Sequence, residues 1–188
     1  MATLDRLREA ARSLFVARGY HETRPQDIAR QAGVANGTFY LHFADKQQAF
    51  LDFAEQAQNE LLATMTQQLS SVSETRLRWA VICGAVIDFD DQNPGLLQAA
   101  FMDPVFIAPS NEKAWMMYDR LGQLLTMSLK GDQVEPDLNL EMISHGLCGM
   151  LRHAMIYAGR RQLDRDRIIR DISGFIDRGL GLSPGEER

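Results

Sequence analysis

Apolar residues recur at helical spacing through almost the whole chain, and the strict alternation of a half-buried strand is almost absent. Leu4, Leu7, Ala11, Leu14 and Phe15 make the first stripe, and Gly19 is expected to stop that helix as a left-handed cap. In "TRPQDIARQAG", Thr23 and Gln26 stand at capping-box spacing and Pro25 suits a first turn. Arg24 is an equal candidate for the cap, because the residue before a proline avoids the helical region. This second helix is short and ends at Gly33. A third spans Asn36 to Phe43. Asp45 then opens a long fourth, with Phe50, Phe53, Ala57, Leu61, Met65 and Leu69 along one stripe. From Thr75 to Asp91 the apolar residues run nearly all the way round, as in a helix at the middle of a bundle. Asn93 and Pro94 cap a short helix to Phe101, and "MDPVFIAPSN" is the longest irregular piece. Further helices are expected over 112–129, from Pro136 or Asp137 to about Ala158, and from Asp164 to about Leu180. The expectation is an all-α fold of about nine helices.

Composition narrows the setting. No apolar run reaches the roughly 20 residues of a membrane span, and Asp5 and Glu9 among the N-terminal arginines exclude a targeting peptide. No membrane partner is therefore expected. Cys83 and Cys148 sit inside apolar helical patterns, which favours small buried hydrophobes in a reducing cytoplasm. The net charge of −5 argues against coating nucleic acid by bulk charge, yet it is unevenly spread. The first fifty residues hold seven Lys/Arg against five Asp/Glu, and the remainder thirteen against twenty. A slightly basic head precedes an acidic body.

The head is the more informative part. Two short helices joined by "AGVAN", the second too short to be stable alone, fit a helix-turn-helix braced by a preceding helix. In such a unit the second short helix enters the major groove and its front side chains meet base edges. "AARSLFVARGYHETRPQDIARQAGVANGTFYLHFADKQQAF" (10–50) resembles the DNA-binding domain of the TetR family of bacterial transcriptional repressors. The matching positions include Ala11, Leu14-Phe15, Gly19-Tyr20, Thr23, Asp27-Ile28-Ala29, Ala32-Gly33-Val34, Gly37-Thr38, Tyr40, Phe43 and Lys46.

The resemblance implies that Thr23 and the turn after it, with Tyr40, His42 and Lys46, hold phosphates. It also places Ala35, Asn36, Gly37 and Thr38 at the front of the recognition helix. Asn36 is the expected base reader, since an amide can pair bidentately with adenine. Two positions depart from the family's pattern. Arg24 replaces a usual serine or threonine and can add a DNA contact, whereas Ala35 replaces a serine and cannot cap the recognition helix, leaving that task to Asn36.

The resemblance further implies a domain boundary: 1–46 as the DNA-binding head, 47–182 as an effector-binding and dimerisation domain, and 183–188 as a disordered tail. The partners it implies are a palindromic operator, a second copy of the chain, and a small, largely apolar effector that releases the DNA. Effector-lining candidates are Trp79, Phe89, Phe101, Phe106, Trp115, Tyr118 and His145. The last two long helices carry apolar stripes suited to a dimer interface: Ile143, Leu147, Met150, Leu151 and Ala154 on one, Ile168, Ile172, Phe175 and Ile176 on the other. No cofactor, metal or catalytic residue is expected. His145, Cys148 and His153 lack a second close pair to complete a zinc set, and "DFDDQN" lacks the glycine and distal glutamate of a calcium loop.

Overall fold

The computed structural model describes residues 2–101, 112–129 and 138–181; for Thr75, Arg76, Lys113, Ala114, Met117, Tyr118 and Leu129 it describes the backbone alone. Among these residues there are nine helices and no strand: α1 (Thr3–Glu22), α2 (Pro25–Gln31), α3 (Asn36–Tyr40), α4 (Lys46–Leu69), α5 (Thr75–Gln92), α6 (Leu96–Phe101), α7 (Glu112–Leu129), α8 (Leu140–Arg161) and α9 (Arg165–Gly179).

The helix ends have local causes. At Gly19, φ 75° and ψ 176° break α1 without the left-handed cap expected from the sequence; the chain then makes one more turn through Glu22. That ψ lies in a region essentially restricted to glycine. Gly33 ends α2 with φ 66°. The Val34 N–H donates to the Ala29 carbonyl (3.0 Å) and the Gly33 N–H to that of Arg30 (3.1 Å), which is a Schellman motif. Asp45 accepts from the Gln48 N–H at 2.7 Å and so caps α4. Asn139 and Asp164 cap α8 and α9 in the same way, through the N–H groups of Met142 and Arg167. α8 thus begins at Leu140 rather than near Pro136 or Asp137, which lie outside the described residues, as does the 183–188 tail.

The chain divides into two compact units. The first runs through Glu60, not only through residue 46, and also takes in the stretch from Asn93 to Trp115. Its core is aromatic. Phe50 of α4 meets Phe15 and Tyr20 of α1 edge-on at 5.1 and 5.0 Å between ring centroids, and Phe53 lies 5.5 Å from Phe15. Two bidentate ion pairs bracket this contact between α1 and α4. Arg8 grips Asp52 at 2.8 and 3.0 Å, and Arg12 grips Glu60 at 2.6 and 3.0 Å. α6 packs on α1, and Gly95 makes that approach close, because a Cβ there would sit 3.4 Å from Val16.

The second unit holds Leu61–Gln92 and Met116 onward. α5 packs against α9, burying Trp79, Ile82, Cys83 and Ala85 on one helix and Ser173 and Ile176 on the other. Arg165 ties the pair through Asp88 at 2.6 Å. Thr126 of α7 donates to Ser144 of α8 at 2.9 Å. Burial pushes the thiols of Cys83 and Cys148 up to about 12, so both stay protonated at neutral pH and pack as small apolar groups.

Candidate nucleic-acid interface

α3 has five residues, and only Phe39 is buried. Phe39 packs its ring against Phe43 at 5.4 Å and anchors the helix to the first unit. The opposite side is open. Ala35, Asn36, Gly37 and His42 are exposed and Thr38 is half-buried. Tyr40 keeps 49% of its surface and Leu41 82%. Leu41 was not singled out from the sequence, where an apolar residue inside "FYLHF" reads as core.

The cap of α3 falls on Ala35, whose side chain makes no capping bond. Asn36 is therefore the first helical residue and not the cap, and among the described residues its amide has no hydrogen-bond partner. The competition between capping and base reading anticipated from the sequence does not arise. Arg24 caps α2 through its backbone only, with its side chain exposed.

Two of the expected phosphate ligands are placed differently. Thr23 is fully buried. Its hydroxyl donates to the Gly19 carbonyl at 2.8 Å, with the Leu14 carbonyl at 3.3 Å. The Thr23 N–H, four residues on, bonds the Tyr20 carbonyl instead (3.3 Å), and the hydroxyl serves that of Gly19. Thr23 is thus an internal tie between α1 and α2, and its side chain is not on a DNA-facing surface. Thr23→Val, which keeps the shape and removes the donor, is expected to cost about 1–3 kcal/mol of stability in urea melts. The salt dependence of DNA binding should stay unchanged.

Lys46 is half-buried and donates to the carbonyls of Tyr20 (2.9 Å) and His21 (3.4 Å), with its ammonium 4.2 Å from the centre of the Tyr20 ring. It neutralises the carbonyl end of α1. The ammonium's third N–H makes no hydrogen bond among the described residues.

The effector candidates scatter. Trp79 is fully buried, and its indole N–H has no partner among the described residues. Phe89 is buried too, and both belong to the second unit. His145 is there as well, its Nε2 3.4 Å from Asp119 and against Gly122, where a Cβ would sit 3.0 Å away. Phe101 and the half-exposed Trp115 belong to the first unit. Phe106 and the side chain of Tyr118 lie outside the described residues.

The expected dimer residues also divide. Leu147, Leu151 and Ile176 are buried in the single chain; Ile143, Met150, Ala154, Ile168 and Ile172 are half-buried, and Phe175 is 61% exposed. The open stripe of α8 is instead Met142, Gly146, Gly149, His153 and Tyr157, all exposed and all at helical spacing.

Against this geometry, the family model for bacterial regulatory proteins of the tetR family matches residues 7–52, the helix-turn-helix with the helices that brace it. The helix-turn-helix head belongs to the tetR family. An uncharacterized HTH-type transcriptional regulator of Bacillus subtilis, YdgC, is 24% identical over 79% of this chain and 76% of its own length. The HTH-type transcriptional activator FasR of Mycolicibacterium smegmatis is 32% identical over 43% of this chain, a match that spans only 36% of FasR. Beyond the head, the tetR fold is shared with the transcriptional regulator FadR of Bacillus subtilis, solved in complex with stearoyl-CoA. That structure matches with a TM-score of 0.71 at 16% identity, over 91% of this chain and 96% of FadR. The protein is a helix-turn-helix transcriptional regulator.

Proposed function

We propose that this tetR-family regulator is a homodimeric repressor that binds a palindromic operator and leaves it when a largely apolar effector binds. The observation that carries the reading is the outward face of α3, with an unpartnered amide at Asn36, a bare backbone at Gly37, and Tyr40, Leu41 and His42 beside it. A major groove accepts such a face. Asn36 is the base reader; Tyr40, His42, Arg24 and the free N–H of Lys46 hold the backbone, with Ala35, Gly37 and Thr38 at the groove.

A single five-residue helix reads too few base pairs to be specific, so two copies are required, about 34 Å apart on one face of the duplex. The exposed stripe on α8 and Phe175 of α9 supply the apolar surface for that pairing. Effector binding belongs to the second unit, and the stearoyl-CoA held by FadR supports an acyl-type ligand. α4, which belongs to the first unit through Glu60 and to the second from Leu61, carries the response. Release follows if the ligand favours an arrangement in which the two α3 helices no longer match successive grooves.

Asn36→Ala tests the reader. Binding-site selection from a random pool should return a changed base preference at one position of each half-site, with discrimination there reduced by about 1–3 kcal/mol. An unaltered preference removes Asn36 from the role. In vitro transcription on the selected site distinguishes repression from the activation named for FasR.

A further inference from the structure

Seven basic residues lie in the first fifty, and most are occupied within the protein. Arg8 and Arg12 grip Asp52 and Glu60, Arg30 binds Asp27 at 2.6 Å, and Lys46 serves the end of α1. Among the described residues, the guanidinium groups of Arg6, Arg18 and Arg24 have neither a hydrogen bond nor an ion pair. Arg18 and Arg24 are exposed, where water satisfies them at no cost. Arg6 is different. It is half-buried on the first turn of α1, and its Nε is enclosed with no acceptor. A buried charged donor left unpaired is costly. The nearest acid in sequence, Asp5, is engaged by the Ala2 N–H at 3.1 Å.

The position of Arg6 explains what would offset that cost. Its Nη1 lies 3.9 Å from where a Cβ on Gly33 would be, so the guanidinium rests against the turn that ends α2 and leads into α3. Two residues further on is the exposed front of the recognition helix. Arg24 stands at the other end of α2. An unpaired cation therefore sits at each end of α2, one of them from a helix outside the helix-turn-helix. A guanidinium fork suits a phosphate diester better than any other common acceptor near DNA.

We propose that Arg6 is a DNA-backbone contact, with its guanidinium beside Gly33 binding a phosphate next to the groove that α3 enters. The inference rests on the DNA-binding reading and adds a contact from outside the helix-turn-helix. The bonds are sequence-independent, so Arg6 sets affinity and register and leaves base preference alone.

The test uses the full chain, the duplex that the wild-type protein selects from a random pool, and a scrambled duplex of equal length. Arg6→Gln should weaken both by the same factor. It should also flatten the plot of log affinity against log salt by about 0.9 per lost phosphate, hence by roughly two for a dimer. Arg6→Lys, which keeps the charge, should retain the wild-type slope. Should Arg6→Gln fail to fold, Arg6→Met keeps the packing stem and carries the same expectation. A neutral variant with the wild-type slope overturns the Arg6 contact and leaves the DNA reading standing. Salt-independent binding by the wild-type protein overturns both.

Discussion

Gly149→Arg is expected to turn the protein into a monomer and to lower its affinity for the palindromic duplex by about a hundred- to ten-thousand-fold, the gain normally supplied by linking two binding events. Gly149 lies mid-way along the exposed stripe of α8, flanked by Gly146 and His153. Glycines there let a second helix approach closely, and an arginine at the centre of such a contact separates the backbones and buries a charge. The subunit itself should be unharmed. A Cβ at Gly149 would meet nothing within 4 Å, and arginine is the better helix former by roughly 0.5–1 kcal/mol. Sedimentation velocity reads the assembly and fluorescence anisotropy the affinity. A dimer of unaltered affinity would move the interface off α8.

Phe50→Ala should produce the largest loss of stability, about 3–5 kcal/mol. Phe50 is fully buried, and its ring is the hub of a cluster with Phe15, Tyr20 and Phe53. Truncation leaves a cavity between α1 and α4 that no neighbouring aliphatic chain can fill. Tyr20 is also the residue whose carbonyl and ring hold Lys46. The variant is therefore expected to weaken DNA binding even at temperatures where it remains folded. Denaturant melts monitored at helix and aromatic wavelengths check the first effect, and anisotropy the second. A loss under 1 kcal/mol would mean the cluster relaxes around the gap.

Helix existence and order were legible because most of the long helices have a clear apolar period and α5 is apolar nearly all round. α7 begins and ends where its pattern does, and α9 begins after the expected cap at Asp164. The direction a stripe faces was less legible. In α8, Leu147 and Leu151 turn inward while two glycines and Tyr157 are left outside, so the strongest apolar positions mark the subunit core and the small ones mark the open face. Periodicity identifies a face but does not say which neighbour covers it.

The internal bonds of Thr23 and Lys46 were not legible for a related reason. Thr23 stands at a capping-box spacing in the sequence, and the resemblance gives both a phosphate. Their observed partners are the carbonyls of Gly19, Tyr20 and His21, in the last turn of α1, where helix carbonyls lack intrahelical donors. Nothing in the sequence around Lys46 announces acceptors 25 and 26 residues away. The exposure of Asn36 at the front of α3 was legible by contrast, because it needs no distant partner to define it.

The central claim is that the outward face of α3 is the DNA-binding surface, and amide hydrogen exchange tests it most directly. The full-length protein is compared with and without the duplex it selects. The account predicts slowed exchange concentrated at residues 36–42 and at the Gly33 turn. Slowing confined to other parts of the chain, with α3 exchanging as freely as in the unbound protein, would contradict it.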